Sequence, residues 1–255
     1  MSRVVVTGLG LITSVGHDLA SSWEALCQSK SGVSEIESYD TSRHRVHFGA
    51  EVKNFDLSPY MDRKEIRRAD PYEHLAIAAT KQALEQSGLK ITEENADDIG
   101  VYIGSGIGGL ITLHDQFAVL HEKGPDRISP FFINMMIVDG APGLVSIMTG
   151  AKGPNWAAVS ACATSGNTIG EAWETIRRGD AKAMLAGVKQ GKLPETLAPF
   201  PIWRRSRGER RRVGRWEVRR PPFYTGYGRG VQCVPHPESS GAPGGRAYGP
   251  LARDV

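Results

Sequence analysis

The segment around Cys162 constrains the fold of this chain more than any other. It reads Val159-Ser-Ala-Cys162-Ala-Thr164 and follows an apolar run that begins at Trp156. Downstream, apolar residues recur with the spacing of one α-helical face; these residues are Ile169, Ala172, Trp173 and Ile176. Arg177-Arg178-Gly179 then closes the helix with cations and a glycine, as helix ends favour. The pattern therefore predicts a strand, a sharp turn carrying Cys162, and a helix that ends before Gly179.

A cysteine at such a junction is well placed for chemistry. The free N–H groups and the positive dipole end of a helix N-terminus favour thiolate over thiol, and the thiolate is the nucleophile. Small neighbours leave the sulfur approachable; they are Ala161, Ala163, Ser165 and Gly166. A lone cysteine is more often a buried structural residue, but the junction favours Cys162 as a nucleophile. Cys27 lies in a helix predicted over Leu19–Gln28, beside Trp23 and Leu26, and we expect it to pack in the core.

Composition limits the class of protein. The chain has 255 residues, of which 40% are hydrophobic and 23% charged, as in a soluble globular protein of one large domain or two small ones. Its three cysteines are odd in number and lack metal spacing, which is typical of a reducing cytoplasm. Met1 leads directly into a strand-like run without a signal peptide, and no apolar stretch approaches the about 18 residues of a membrane helix. We therefore expect a cytoplasmic protein with no membrane partner.

The order of apolar runs predicts the fold class. Runs that read as buried strands are Val4–Thr7, Ile99–Ile103, Ala157–Val159 and Ala183–Ala186. The clearest helical pattern between them covers His74–Ser87 and ends at Gly88. Strands that alternate with helices predict α/β layers around a largely parallel sheet.

Two other patterns suggest cofactors or metals only weakly. Gly8-Leu-Gly10 lacks the third glycine of a dinucleotide-binding loop, and no acidic residue follows Gly104–Gly109 at the required distance. His114 and His121 share one helical face, but the sequence offers no convincing third ligand. We predict no nucleotide cofactor and no metal, and we place both histidines on the surface.

Six motifs, taken in order, point to a known family. They are Val4-Val-Val-Thr-Gly-Leu-Gly10, Arg67-Arg-Ala-Asp70, Gly104-Ser-Gly-Ile-Gly-Gly109, Ile128-Ser-Pro-Phe-Phe132, Gly150-Ala-Lys-Gly-Pro-Asn155 and the Cys162 segment. Residues 1–187 thereby resemble the β-ketoacyl-[acyl-carrier-protein] synthases, closest to the elongating type II condensing enzymes. The resemblance implies the thiolase-like fold with α-β-α-β-α layers, of which this chain would supply the first half. Taken by themselves, Arg67, Arg68 and Asp70 have charges that could form a structural ion-pair network, and the sequence assigns them no chemistry.

The resemblance also implies an activity, acyl transfer in fatty acid biosynthesis without a cofactor. Cys162 would accept an acyl group from acyl carrier protein, and its own N–H would bind the thioester oxyanion. A malonyl unit on a second carrier would then lose carbon dioxide and attack that thioester. Ile107 corresponds to a position that lines the acyl channel. Phe131 and Phe132 correspond to aromatic residues near the acyl pocket and the dimer interface of a homodimer, although ordinary core aromatics remain an equal alternative.

Other enzymes share part of this pattern. A thiolase or a starter-unit condensing enzyme has the same fold and the same cysteine. The sequence Ala161-Cys162-Ala-Thr164, together with the Ser-Pro-Phe-Phe segment, favours the elongating class.

The composition changes after Gly187. Residues 188–255 hold fourteen of the 31 lysines and arginines but only five of the 28 acidic residues. The family resemblance stops at Val188, and dense Arg, Gly and Pro are what a GC-rich gene yields when it is read out of frame. We therefore predict a boundary after residue 187 and a poorly structured, frame-shifted or non-native tail over 188–255. The chain alone would be inactive, because His236 matches neither histidine motif of the family's second half.

One alternative belongs to another functional class. Residues 204–220 contain nine arginines in seventeen positions, with Trp203 just before them and Trp216 among them. Dense arginine drives phosphate binding, so a basic nucleic-acid-binding tail is conceivable. We place it behind the out-of-frame interpretation and do not expect nucleic acid as a partner.

Overall fold

The computed structural model describes residues 3–38, 40–42 and 46–188, and the backbone of 200–205. The chain divides into two units, residues 1–207 and residues 208–255, and the described residues all lie in the first. Its helices are α1 (Leu19–Cys27), α2 (Arg63–Ile66), α3 (Pro71–Ser87), α4 (Leu110–Lys123), α5 (Phe132–Met136), α6 (Gly140–Thr149) and α7 (Thr164–Arg178). Its strands are β1 (Val4–Gly10), β2 (Ser34–Glu35), β3 (Phe48–Gly49), β4 (Ile99–Gly104), β5 (Asn155–Trp156), β6 (Ala183–Val188) and β7 (Phe200–Arg205).

The main sheet is mixed. Its strand order is β1-β7-β6-β4-β5, with β4 parallel to both β5 and β6. Strand β7 runs antiparallel to β1 on one side and to β6 on the other. The predicted parallel pairing thus holds for β4, β5 and β6, and the antiparallel pairs of this sheet all involve β7. Strands β2 and β3 form a separate antiparallel pair.

Strand β7 lies in the tail, where the sequence predicts no regular structure. Its backbone pairs with β1 from Val4↔Arg205 to Gly10↔Phe200. Main-chain pairing needs no particular side chains, and the N–H and C=O groups of β1 and β6 require partners on this side. This explains how a strand can occur where no side-chain pattern predicts one. The rest of the tail, including residues 206–220 of the arginine-rich segment, lies outside the described residues.

Helices cover both faces of the sheet. Val101 and Ile103 of β4 point into a core formed with α3 and α6, whereas Tyr102 points into a second core formed with α7. Alternation of this kind is the period-two signature of a strand buried on both faces. The layered α/β class predicted from the sequence is therefore confirmed. No helix among the described residues is long and apolar enough to cross a membrane.

Helix α3 starts earlier than its apolar pattern predicts. Asp70 caps it by accepting from Tyr72 N, and the Glu73 side chain accepts from Asp70 N, which completes a capping box. The helix ends at Gly88 in the left-handed conformation, as predicted. A side chain at Gly10 would collide with the carbonyl oxygen of Ala79. The glycines of β1 therefore let the strand approach α3 closely, which explains their spacing without a nucleotide.

Two local predictions are wrong. The ladder between β4 and β5 ends at Trp156, so Ala157–Val159 is not a strand, and the Val159 side chain is 59% exposed. The chain leaves the sheet there because it must turn over the end of β4 into α7. Cys27 is exposed rather than buried in the core. Helix α1 buries Ser22 and Ala25, and this face leaves Trp23 and Leu26 toward solvent.

A buried carboxyl group makes the stability of this fold depend on pH. Burial raises the pKa of Glu73 from 4.5 to about 8, an effect that the hydrogen bond from Asp70 N opposes in part. Because the folded-state pKa is the higher one, this group's contribution to stability is complete below pH 4.5 and is lost as pH rises through about 8. We expect the free energy of unfolding to fall by about 1.4 kcal/mol per pH unit within that window.

Urea unfolding at a series of pH values measures this slope. Glu73→Gln keeps an oxygen that can accept from Asp70 N but cannot ionise, so it should flatten the slope. Glu93→Gln removes an exposed carboxylate and should leave the slope unchanged. A slope that survives Glu73→Gln would mean that another group causes it.

Candidate active site

Cys162 lies in a tight turn between the sheet and α7. A single turn of 3-10 helix covers Ala161–Ala163, and α7 begins at Thr164. Cys162 is exposed. Ala161 has a φ of 48°, a left-handed conformation that costs a residue with a Cβ on the order of 1 kcal/mol. The predicted sharp turn is therefore present, and its strain falls on the residue before the cysteine.

Three polar side chains hold the turn in place. The Ser160 N–H donates to Thr164 Oγ1 at 2.9 Å, and Asn167 Nδ2 donates to Ser160 Oγ at 2.6 Å. Thr164 is fully buried. These bonds tie the residues before Cys162 to the first turn of α7, so the backbone on both sides of the thiol is fixed.

The turn rests on the end of β4. A Cβ added to Gly104 would collide with Thr164 Cγ2 and with the carbonyl oxygen of Ala158. Only a glycine allows the end of β4 to approach both the chain entering the turn and the helix leaving it. Gly104 thus sets the position of Cys162 relative to the sheet.

Helix α7 directs its N-terminus at this turn. No side chain caps its first turn, and Arg177 and Arg178 lie in its last turn. Ala172 and Ile176 are buried, while Ile169 and Trp173 pack beside them on the second core, as the sequence predicts. Gly179 ends the helix with a φ of 92°. The positive end of the dipole and the N–H groups near Cys162 can stabilise negative charge that develops at the sulfur or on a bound oxyanion.

Ile107 lies in the loop that follows β4. Ser105 Oγ accepts from Gly108 N at 3.0 Å, which closes the loop, and Gly108 has a φ of 83°. The Ile107 side chain is 51% exposed. Because this loop begins directly after Gly104, it emerges from the same end of β4 on which the cysteine turn rests.

Phe131 and Phe132 form the start of α5. Both are partly buried, and neither belongs to the two buried cores among the described residues. The segment packs on the Ile107 loop, since Gly109 N donates to Met136 O at 3.0 Å. The structure thus links the two predicted acyl-binding segments through direct contact. Among the described residues, no hydrogen bond joins either segment to Cys162.

An ion-pair network at residues 67–70 is not formed. No ion pair in the described part of the chain joins Arg67 or Arg68 to Asp70. The Arg68 guanidinium lies 4.7 Å from the centre of the Phe131 ring instead. Asp70 is buried and accepts from Thr112 Oγ1 at 2.6 Å. A buried hydroxyl donor satisfies the carboxylate, which leaves the arginine free to stack.

The two histidines of α4 do not form a metal site in the described residues. His114 and His121 are both exposed, as predicted, and His114 contacts Asp115. No group of three or more potential ligand residues that could hold a metal ion occurs in residues 3–38, 40–42, 46–188 and 200–205.

The residues that hold the cysteine turn do not stand out in the sequence. Ser160, Thr164 and Asn167 act through hydrogen bonds, which leave no trace in apolar periodicity. A signal does exist, because hydroxyl and amide side chains at three, four and seven residues apart can meet on one side of a helix start. In the sequence, Gly104 stands out only as part of a glycine-rich loop.

Sequence comparison identifies relatives over most of the chain. Residues 1–198 match the family described as Beta-ketoacyl synthase, N-terminal domain. The 3-oxoacyl-[acyl-carrier-protein] synthase 2 of Synechocystis sp. is 42% identical over 254 residues, which cover 98% of this chain and 61% of the relative. The enzyme of the same name from Staphylococcus aureus strain COL is 40% identical over 96% of this chain and 60% of its own length. The chain thus spans about three fifths of these relatives. The matches extend past residue 187, so the expectation that the family resemblance stops at Val188 is wrong.

Solved structures share the fold. A beta-ketoacyl synthase from Burkholderia phymatum STM815 superposes with a TM-score of 0.68 at 22% identity, covering 81% of this chain and 60% of that one. A structure of a type II PKS acyl-carrier protein in complex with its ketosynthase gives a TM-score of 0.67 at 20% identity, covering 80% and 63%. At such identities the likeness shows the fold alone, which agrees with the thiolase-like layers predicted from the sequence. With the family match over residues 1–198, the chain belongs to the beta-ketoacyl synthase family, in the N-terminal domain of that family.

Proposed function

We propose that this chain is the acyl-accepting part of a β-ketoacyl-[acyl-carrier-protein] synthase of fatty acid biosynthesis, with Cys162 as its nucleophile. The observation that carries the proposal is the strained turn that presents an exposed thiol at the start of α7. Backbone strain of this kind persists where surrounding contacts enforce it, and such positions cluster at active sites. The names of the curated relatives supply the reaction class.

The first half-reaction is a thioester exchange. The Cys162 sulfur attacks the carbonyl carbon of an acyl thioester on acyl carrier protein, and the oxygen becomes an oxyanion. The Cys162 N–H binds that oxyanion; it has no acceptor among the described residues. The carbonyl then re-forms and the carrier thiolate leaves, taking up the proton that Cys162 loses. The products are acyl-Cys162 and free carrier thiol.

The second half-reaction forms the carbon–carbon bond. Malonyl carrier protein loses carbon dioxide, the resulting enolate attacks the acyl-Cys162 carbonyl, and the cysteine sulfur leaves and is protonated. The family resemblance assigns the enolate's hydrogen-bond donors to two histidines. His236 is the one histidine after Cys162 in this sequence and lies in Val234-Pro-His-Pro, unlike the family motifs. The proposal therefore assigns the acyl-transfer half-reaction to Cys162 and names no donor for the enolate.

Substrate contacts are assigned to the two linked segments. Ile107 would line the acyl channel, and Phe131 and Phe132 would contact the far part of the acyl chain. Their side chains are partly or largely accessible, and they lie outside both cores. This placement supports a binding role over ordinary core packing. Acyl carrier protein is the proposed partner and the cytoplasm the proposed location.

A homodimer is the proposed assembly. Among the described strands, β5 is at the edge of the main sheet, and its outer side can pair with a second copy. Ile147 of the adjoining α6 is 80% exposed, and Ile133 of α5 is 55% exposed. Because α6 packs against β5, the exposed Ile147 fits a two-fold interface along this strand edge.

Reactivity separates Cys162 from the other described thiol. Cys27 and Cys162 are both exposed, so accessibility alone predicts equal labelling. We expect iodoacetamide to modify Cys162 first, because only that thiol lies at an uncapped helix N-terminus. Peptide mapping after limited labelling measures the order, with Cys27→Ser and Cys162→Ser as matched variants. Equal or faster labelling of Cys27 would contradict the assignment.

We expect this chain to accept an acyl group on Cys162 without forming a condensation product. Incubation with acyl carrier protein thioesters should add one acyl group to Cys162, visible by intact mass and absent in Cys162→Ser. With malonyl carrier protein added, we expect no 3-oxoacyl product, for want of donors to the enolate. Condensation by the 255-residue chain would show that other residues supply these donors. No acylation of the wild-type chain would refute the proposed function itself.

Light scattering tests the assembly. We expect a dimer at micromolar concentration, and Ile147→Lys should shift it toward monomer by placing a charge in the apolar interface. Trp23→Ser removes an apolar side chain that is 64% exposed on α1 and should leave the mass unchanged. A monomeric wild-type chain, or equal effects of both variants, would argue against this interface.

A further inference from the structure

The turn between α2 and α3 contacts both proposed acyl-binding segments. On one side, the Arg68 guanidinium lies 4.7 Å from the centre of the Phe131 ring, a cation–π geometry. On the other side, Asp70 reaches the start of α4, which follows the Ile107 loop. Arg68 is itself exposed, so its contact with Phe131 is not a requirement of the core.

The Asp70 carboxylate is bonded on both oxygens. Oδ1 accepts from Tyr72 N at 3.0 Å, which caps α3. Oδ2 accepts from Thr112 Oγ1 at 2.6 Å and from Thr112 N at 3.3 Å. Both residues are nearly inaccessible, at 2% exposure for Asp70 and 6% for Thr112. Hydrogen bonds to a charged acceptor in a buried position are among the stronger ones, so α4 is fixed to the N-terminus of α3.

The segments that carry Ile107 and Phe131 also brace each other. A Cβ at Gly109 would collide with Met135 O, so the loop and α5 are in backbone contact. Gln116 Oε1 of α4 accepts from Ser129 N at 2.7 Å, just before Phe131. Tyr72 OH donates to Ile137 O at 2.6 Å, just beyond α5. Residues 68–72 thus contact both the start of α4 and the segment that contains Phe131 and α5.

We propose that Arg68 and Asp70 are positioning residues that hold Phe131 and the Ile107 loop at a fixed separation and thereby set which acyl chain lengths the site accepts. Arg68 acts on Phe131 through its ring, and Asp70 acts on Ile107 through Thr112 and the start of α4. The inference rests on the proposed acyl transfer to Cys162 and adds a determinant of substrate length.

The test measures kcat/KM for acylation of Cys162 with short-, medium- and long-chain acyl-pantetheine thioesters. These donors lack carrier protein, so an effect on carrier docking does not enter. Arg68→Gln should change the long-to-short ratio about two- to fivefold, the size of an exposed cation–π contact. Arg68→Lys keeps a cation and should restore part of the ratio. Arg63→Gln removes an exposed arginine of α2 and should leave the ratio unchanged.

Substitutions at Thr112 test the hydrogen bonds between Asp70 and α4. Thr112→Val removes the hydroxyl donor with little change in volume and should shift the ratio in the full chain, whereas Thr112→Ser keeps the donor and should not. Hydrogen exchange gives a readout independent of acylation. Amides of residues 105–113 should exchange faster in Thr112→Val, and those of 129–137 should exchange faster in Arg68→Gln.

Each outcome decides the inference separately from the proposed function. An unchanged chain-length ratio in Arg68→Gln and Thr112→Val, with wild-type acylation intact, would overturn it. A change of the ratio that occurs with acyl carrier protein donors but not with acyl-pantetheine donors would also overturn it, because Arg68 would then act in carrier docking. If no thioester acylates the wild-type chain, the proposed function fails, and unchanged hydrogen exchange in both variants would then overturn the positioning role as well.

Discussion

The contact of Gly104 with the cysteine turn is the constraint on which the candidate site depends. At this point the end of β4, the carbonyl of Ala158 and the side chain of Thr164 meet with no room for a Cβ. Thr164 Oγ1 also accepts a hydrogen bond from Ser160 N. The packing against Gly104 and this hydrogen bond together keep Ala161 in its strained conformation. Moving any of these partners would move the thiol.

The sheet explains why the functional segments collect where they do. In parallel α/β sheets, ligands bind beyond the carboxyl ends of the strands. Strand β4 lies between β5 and β6 and is parallel to both, so its carboxyl end is in the interior of the sheet rather than at an edge. The Ile107 loop leaves from that end, and the chain from β5 turns over it into α7. One strand end therefore serves both the proposed nucleophile and the proposed acyl channel.

The sequence predicts this site well where it depends on periodicity and caps. The buried face of α7 through Ala172 and Ile176, its end at Gly179, and the turn at Cys162 all follow from local spacing. Contacts between distant residues do not follow from spacing. The bond from Asp70 to Thr112 joins residues 42 positions apart, and the stacking of Arg68 on Phe131 spans a longer distance along the chain. Opposite charges at 68 and 70 suggest an ion pair, but a nearby buried hydroxyl is a better partner for the carboxylate.

The exposure of Cys27 and the presence of β7 differ from the sequence-based expectations for different reasons. The apolar neighbours of Cys27 suggest burial, yet α1 packs through the small residues Ser22 and Ala25, so the large side chains face solvent. Strand β7 is held by backbone pairing with β1 and β6, which composition does not report. In both cases, the part of the molecule that packs or pairs with the segment determines its structure, and the segment's own sequence does not describe that part.

If Gly104 and the strained turn place Cys162 for acyl transfer, the rate of acylation should depend on the contact at Gly104. The most direct test compares the rate of Cys162 acylation in Gly104→Ala and Gly170→Ala. Gly170 lies in α7, the helix that follows Cys162, and a Cβ there meets nothing within 4 Å. Gly170→Ala therefore controls for a glycine replacement near the site. We expect Gly104→Ala to lower the rate on the order of ten- to a hundredfold while the far-ultraviolet circular dichroism is kept, and we expect no effect of Gly170→Ala. Equal rates in both folded variants would contradict it.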